Sequence, residues 1–209
     1  MVLARRQDTN ARDRAKSNPV WIDAHGAVRE EFLQEAIVAW ERGDVPPMLR
    51  GQRLLGLDYA AIMDGIDTQT LHEQRLAIQT RYPRKYDGEE LIHNPELSAT
   101  FDRHMQEWKN WRQSNAAYQR VYAVFHALRD LQDIGRPAVL FIDHFHRILG
   151  GDFERFPLDL APTLKPLLAR CQIQLWGACT LSEYRDTVEH DASMQRRFQE
   201  ILLPSRRII

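Results

Sequence analysis

Short apolar runs alternate with longer stretches of helical period along this 209-residue chain. The clearest apolar run, Ala138–Ile142, ends in an acid, Asp143. A stretch with leucines on one helical face follows, and then a second apolar run that starts at Ile173. An apolar run that ends in a carboxylate is typical of a buried parallel strand reaching the edge of a sheet. The alternation of strands and helices therefore predicts an α/β fold with three layers and a parallel sheet.

The pattern predicts strands at Val20–Ile22, Arg53–Leu57, Ala138–Ile142, Ile173–Gly177 and Ile201–Leu203. Pro95 is typical of a helix start, and aromatic residues recur after it at steps of three and four as far as Trp111. A further helix is predicted over Asn115–Asp133, and Thr180 or Ser182 can cap the helix after the fourth strand.

Composition is that of an ordinary globular domain, with 44% hydrophobic and 27% charged residues. A formal net charge of −1 gives no global reason to expect nucleic acid or acidic membranes as partners. No apolar run approaches the ~20 residues that span a bilayer. The two cysteines, Cys171 and Cys179, make no disulfide framework and are expected to be core thiols, so the predicted location is cytoplasmic. Residues 1–17 are locally basic and are expected to form a flexible, solvated arm before one domain at 18–209.

Four ordered segments give the chain a family resemblance: LFID at 140–143, LKPLLAR at 164–170, GACTLSEYR at 177–185 and DASMQRRFQ at 191–199. Together they resemble the first ATPase module of the Clp-type AAA+ unfoldases and disaggregases, the ClpB/ClpA-like family. The resemblance implies a five-stranded sheet of order 5-1-4-3-2. It also implies a sensor position at Thr180 and arginine-finger positions at Arg196 and Arg197, from which a subunit reaches into a neighbour's ATP site.

The phosphate-binding loop of that family is degenerate in this chain. A working loop needs glycines, a lysine for the phosphates and a Ser or Thr hydroxyl for Mg²⁺. Here the aligned residues run from Asp23 to Glu30, and Gly26 alone is kept. Arg29 stands at the lysine position and Glu30 at the hydroxyl position. Binding of ATP is therefore expected to be weak or absent, and no cofactor is predicted.

The Walker B end is also altered. Asp143 is kept, but His144 stands where the family has the acid that polarises the attacking water. His144 and His146 form an H-x-H pair that His25 could approach, yet zinc needs three or four ligands and no cysteine stands at metal spacing. No metal site is predicted. The family's helical lid is expected to be missing, since the sequence stops soon after the last predicted strand.

The span of about 66–114 departs from the family pattern and is predicted to be a mainly helical insertion. It carries Tyr82, Tyr86, Trp108 and Trp111 among basic residues. Such interleaving of aromatic and basic residues suits nucleic acid and equally suits a protein-binding surface. Packing of the Pro95 helix on its own domain is favoured over exposure to a partner.

The leading hypothesis is a degenerate Clp-like module, a pseudo-ATPase that acts as a protein-interaction or assembly subunit. Its partner would be an AAA+ ring, a second copy of itself or a larger assembly. One alternative is an ATP-binding, ATP-hydrolysing chaperone-like protein with an unusual site. A nucleic-acid-binding module is the third hypothesis.

Overall fold

A computed structural model describes residues 18–24, 28–82, 86–150 and 156–204. Its five strands form a single parallel sheet of order β2-β3-β4-β1-β5, which confirms the order expected from the resemblance. The strands are β1 (Asn18–Asp23), β2 (Arg53–Gly56), β3 (Ala138–Ile142), β4 (Gln174–Thr180) and β5 (Phe198–Leu202). The predicted basic arm and Gly26 lie outside the described residues.

The helices cover both faces of the sheet, as expected for three layers. They are α1 (Arg29–Glu41), α2 (Tyr59–Met63), α3 (Thr68–Arg81), α4 (Gly88–His93), α5 (Pro95–Ser114), α6 (Ala116–Asp133), α7 (Ala161–Ala169), α8 (Leu181–Tyr184) and α9 (Ala192–Gln195). Alternate residues of β3 enter two separate cores: Phe141 packs with Trp21 and Trp176, and Leu140 packs in the core that contains Phe125 of α6. This alternation follows from the two-residue period of a strand buried on both faces.

Four of the five strands, all except β3, have bounds that differ from the predicted ones. β3 has the predicted bounds, but β4 continues to Thr180 because Asp23 of β1 pairs with it. β5 begins at Phe198, three residues before the predicted start at Ile201, because its pairing with β1 starts at Asn18. The polar residues of this edge strand break the apolar run on which the prediction depended.

The predicted insertion is helical, and its aromatic residues stack on one another. Tyr82 stacks on His104 with ring centroids 4.4 Å apart, and Trp108 meets Trp111 edge to face at 5.4 Å. Trp111 in turn contacts Tyr118 of α6 at 5.3 Å. Trp111 is only 8% exposed, so its ring packs within the domain instead of facing a partner. Tyr86 contacts Phe101 and His104, and like Tyr82 and Trp108 it keeps part of its surface exposed.

A tight turn after β3 folds back onto β4. His144 adopts a left-handed backbone conformation with φ 47°, and a 3-10 turn at Phe145–Ile148 follows. The Phe145 ring lies over Gly177 of β4, where an added Cβ would meet the ring carbon Cγ at 2.8 Å. Glycine at this position therefore allows the turn to approach the sheet.

The structure tests two further expectations, the burial of the two cysteines and the absence of a membrane-spanning helix. Cys179 is buried as predicted, but Cys171 is exposed, because it lies in a left-handed turn (φ 52°) directly after α7. Among the described residues, no helix has the length and apolarity that crossing a membrane requires.

Candidate functional site

Three of the residues singled out in the sequence meet at one edge of the sheet. Asp23 ends β1, Asp143 follows β3, and Thr180 ends β4. Since β1, β4 and β3 are adjacent parallel strands, their carboxyl ends lie side by side. This edge is where open α/β sheets bind ligands.

Asp23 is buried, with 2% of its surface exposed, and its carboxylate faces the start of α1. Its Oδ2 accepts hydrogen bonds from the backbone N–H groups of Val28 at 2.8 Å and Arg29 at 3.0 Å. Amides at a helix start are the donors that bind phosphate in a working loop. In this chain an internal carboxylate already accepts from two of them.

Arg29, at the position of the family's lysine, points to the turn after β3. Its Nε lies 2.9 Å from Oδ1 of Asp143, and its Nη2 lies 3.3 Å from Nε2 of His144. The Arg29 side chain is 14% exposed and that of Asp143 is 43% exposed. Asp143 also accepts a hydrogen bond from the His144 backbone N–H at 2.8 Å. The Arg29 cation and the Asp143 carboxylate, the predicted Walker B acid, thus bind each other, while Glu30 is exposed in the first turn of α1.

A second group of side chains lies beside this ion pair. Nδ1 of His144 is 3.8 Å from Oε1 of Glu183, and Nδ1 of His146 is 3.3 Å from Oε2 of the same residue. Glu183 is held by a capping box, in which the Thr180 N–H donates to Oε2 at 2.8 Å and the Thr180 hydroxyl accepts from the Glu183 N–H at 3.3 Å. Thr180 therefore caps α8, one of the two caps foreseen.

Glu183 was missed by the sequence analysis, although a signal was present. The spacing of Thr180 and Glu183 is that of a capping box, Thr-x-x-Glu. That motif places the glutamate against the first turn of its helix. The motif does not predict that the turn after β3 brings the imidazoles of His144 and His146 to the Glu183 carboxylate.

The electrostatics of the group favour neutral imidazole beside ionised carboxylate. Burial lowers the pKa of His144; Asp143 and Glu183 oppose this, whereas Arg29 and Arg147 lower the pKa further. Burial by itself raises the pKa of Glu183, but the Thr180 N–H and the nearby His146 bring it below its ordinary value. Burial and the charge of Glu183 raise the pKa of Cys179 to about 12, so this thiol stays protonated and is a poor nucleophile.

Tyr59 of α2 anchors the turn that carries both histidines. Its hydroxyl donates to the backbone carbonyls of Asp143 at 2.6 Å and His144 at 3.2 Å. Burial raises the pKa of Tyr59 well above its ordinary value, so the hydroxyl keeps its proton. The turn is therefore fixed from α2 as well as from β4.

The two arginines of the DASMQRRFQ segment lie at the end of α9. Arg196 is exposed, and its Nε donates to the Ala192 carbonyl at 2.9 Å. Arg197 is partly buried, and its guanidinium donates to the Ser193 carbonyl of the same helix. Asp191 caps α9 by accepting from the backbone N–H groups of Ser193 and Met194.

Comparison with known proteins finds chaperone proteins of the ClpB type among the relatives of this chain. The chain is 29% identical over 188 residues to the chaperone protein ClpB of Propionibacterium freudenreichii, and 31% identical over 191 residues to ClpB 2 of a Nostoc species. Each match covers 90% of this chain and 16% of the relative, so the chain spans about one-sixth of their length. No family model matches the chain.

Solved structures of Hsp104 share the fold. An ADP complex of Saccharomyces cerevisiae Hsp104 superposes with a TM-score of 0.51 and 28% identity, covering 98% of this chain and 21% of that one. A closed state of Hsp104 with ATPγS and casein gives a TM-score of 0.52 and 27% identity, covering 97% of this chain and 25% of that one. Sequence and fold together show that the chain is homologous, over about 90% of its length, to the ClpB and Hsp104 AAA+ chaperones.

Proposed function

We propose that this chain is a pseudo-ATPase, a Clp-like AAA+ module that acts by binding proteins and does not hydrolyse ATP. The observation that carries the proposal is the internal pairing at the phosphate position. Asp23 accepts from the N–H groups that open α1, and Asp143 binds the guanidinium of Arg29. The groups that would bind phosphate are satisfied by the chain's own carboxylates.

A triphosphate would have to displace these carboxylates and then lie beside them. A hydrogen bond to a charged group contributes about 1.5–3 kcal/mol, so releasing the Asp23 carboxylate is costly. Two like charges about 4 Å apart repel by roughly 4 kcal/mol at an effective dielectric near 20. The Asp23 carboxylate, which accepts from the amides at the start of α1, therefore makes this position unfavourable for an anion.

The acid and the hydroxyl that the family uses for ATP hydrolysis are also replaced. The acid that polarises water is replaced by His144, whose Nε2 lies 3.3 Å from the Arg29 guanidinium and accepts from it. A nitrogen whose lone pair is engaged in this way is a poor general base. Glu30 replaces the hydroxyl that holds Mg²⁺ in the family, and it is exposed on α1.

Protein binding is the proposed activity, with an AAA+ ring, a second copy or a larger assembly as the partner. The described part of the insertion exposes large apolar side chains, including Ile92 at 77%, Leu76 at 50% and Met105 at 45%. We propose these side chains, with the accessible parts of Tyr82, Tyr86 and Trp108, as the residues that contact a partner. Trp111, the fourth aromatic candidate, is buried and packs within the domain. We propose the cytoplasm as the location.

Calorimetric titration with ATP and with ADP, both with Mg²⁺, tests the proposal directly. We expect no binding up to about 1 mM nucleotide, the upper end of ordinary KM values. A mass measurement alongside gives the assembly state. Binding in the micromolar range would instead support the alternative, an ATP-hydrolysing chaperone-like protein with an unusual site. Salt-dependent binding of DNA or RNA would support the nucleic-acid alternative.

A further inference from the structure

His144, His146 and Glu183 form a group of which the pseudo-ATPase proposal uses only His144. Each residue offers one ligand atom, and the three atoms lie within 4.8 Å of one another. The two histidines come from the turn after β3, and Glu183 comes from α8, which follows β4. Three potential ligands from two separate elements thus converge on one point.

We propose that His144, His146 and Glu183 form a binding site for a divalent transition metal, with Zn²⁺ as the preferred ion. Two imidazoles and one carboxylate are a ligand set that zinc uses at sites with an open fourth position. Ca²⁺ and Mg²⁺ prefer oxygen ligands and suit the set poorly. The site does not depend on the proposed pseudo-ATPase function.

The distances are close to those that a metal requires. Zinc bonds of about 2.0–2.1 Å in a tetrahedron place neighbouring ligand atoms roughly 3.3 Å apart. Nδ1 of His146 lies 3.3 Å from Oε2 of Glu183, and Nδ1 of His144 lies 3.8 Å from Oε1 of the same carboxylate. A bound ion would draw the three ligand atoms, which lie within 4.8 Å of one another, to this spacing.

The ligands are held in place by contacts of their own. Glu183 is fixed by the capping box with Thr180, and His146 is 7% exposed. Tyr59 binds the backbone of the turn that carries both histidines. Such supporting contacts reduce the ordering that a metal must impose, and loss of them weakens metal sites.

Arg29 gives the proposal a specific consequence. Nε2 of His144 accepts from the Arg29 guanidinium in the structure, so the proton of the neutral ring is on Nδ1. When a metal binds Nδ1, the proton of the neutral ring moves to Nε2. The Nε2–H group then repels the Arg29 guanidinium, and the ring turns so that this group faces Oδ2 of Asp143, 4.0 Å away. Metal binding and the Arg29–His144 contact therefore exclude each other.

Titration of the chelator-treated chain with Zn²⁺, followed by calorimetry, tests the site. We expect about one ion per chain, as a single zinc site requires, with Co²⁺ giving the visible absorption of a tetrahedral complex. Glu183→Gln keeps an oxygen that can accept from Thr180 but removes the charge. His144→Asn keeps a residue that tolerates the left-handed backbone.

Each of these two variants should weaken zinc binding by at least about 10-fold, whereas His126→Ala, an exposed histidine on α6, should leave it unchanged. Arg29→Met should strengthen binding, because it removes the competing contact. Circular dichroism checks that every variant is folded. Absence of zinc binding in the parent chain would overturn the proposal, and so would equal binding by folded Glu183→Gln and His144→Asn variants.

Discussion

The Arg29 guanidinium and the Asp143 carboxylate form an ion pair, with 2.9 Å between Nε and Oδ1. The family resemblance predicts that Arg29 stands at the Walker A lysine position and that Asp143 is the Walker B acid. In a nucleotide-binding module both positions serve phosphate and Mg²⁺. In the structure the two side chains bind each other instead.

The strength of this ion pair is our first prediction. A double-mutant cycle with Arg29→Met and Asp143→Asn should give a coupling free energy of at most about 1 kcal/mol, because Asp143 is 43% exposed and water screens the pair. Urea unfolding of the four proteins measures it. A coupling several times larger would mean that the pair is shielded from water in solution.

Asp23 should matter more for stability than Arg29. Asp23→Ala leaves two N–H groups at the start of α1 without their acceptor, and we expect a loss of about 2 kcal/mol in the free energy of unfolding. Asp23→Asn, which keeps an oxygen acceptor, should cost less. Equal losses for the two variants would show that the charge, and not the hydrogen bonding, is what matters.

Restoring the phosphate loop tests why nucleotide is excluded. The variant with Asp23→Gly, Val28→Gly, Arg29→Lys and Glu30→Thr should bind Mg-ATP more tightly than about 1 mM, because it frees the helix amides and supplies the lysine and hydroxyl. Arg29→Lys alone should not bind, since Asp23 still accepts from the amides. Binding by the single variant would show that Asp23 is not the obstacle.

Gly177→Ala should destabilise the fold around the candidate site. The added Cβ would lie 2.8 Å from the Phe145 ring, which is fully buried and cannot move freely. We expect a loss of about 1–3 kcal/mol by urea unfolding. Gly56→Ala in β2 is the matched control, because nothing lies within 4 Å of its added Cβ. Similar effects at both glycines would contradict the close approach of Phe145 to β4.

Asp191 should make the stability of the chain depend on pH. Burial by itself raises the pKa of Asp191, but hydrogen bonds from Lys165 and Ser193 bring it below the ordinary value. A carboxylate with a depressed folded pKa stabilises the fold above its unfolded pKa, about 3.9, and loses that contribution as the pH falls through the folded value.

The measurement is urea unfolding of the parent chain and Asp191→Ala at pH 7 and at low pH. At pH 7 the variant should be about 1 kcal/mol less stable, and the difference should shrink at low pH. Asp133→Ala, at an exposed residue of α6, should change stability by less than about 0.5 kcal/mol at either pH. A difference that is independent of pH would argue against the charged cap.

Arg196 and Arg197 provide the last prediction, which concerns action on a neighbour. If the module joins an active AAA+ ring, replacing both with Ala should lower the ring's ATP turnover, because an arginine stabilises the charge that develops on the transferred phosphate. Arg196→Ala should account for most of the loss, since Arg196 is exposed and Arg197 is partly buried.

The assay mixes the chain with a ClpB chaperone and measures ATP turnover. Arg129→Ala, on α6, is the control for a general loss of positive charge. Circular dichroism confirms that the variants are folded. Unchanged turnover with the folded double variant, in a mixture where the parent chain alters turnover, would remove this role.

The sequence by itself determined the parallel α/β fold and most of its strands. Apolar runs such as Ala138–Ile142 are strong signals because a strand buried on both faces must be apolar throughout. The four family-like segments supplied the strand order, which periodicity alone does not contain. The substitutions at Arg29, Glu30 and His144 were visible as departures from a motif in which each residue type has a defined chemical task.

Only the tertiary structure shows which contacts the residues at the phosphate-loop and Walker B positions make. The Asp23 contacts with the start of α1 and the Arg29–Asp143 pair depend on how side chains turn at the edge of the sheet, and residue types do not reveal this. Likewise, His146 and Glu183 are far apart in the chain and meet because β3 pairs with β4 and Phe145 packs over Gly177. β5 was misplaced at its start because pairing with β1, and not its own apolarity, sets where an edge strand begins.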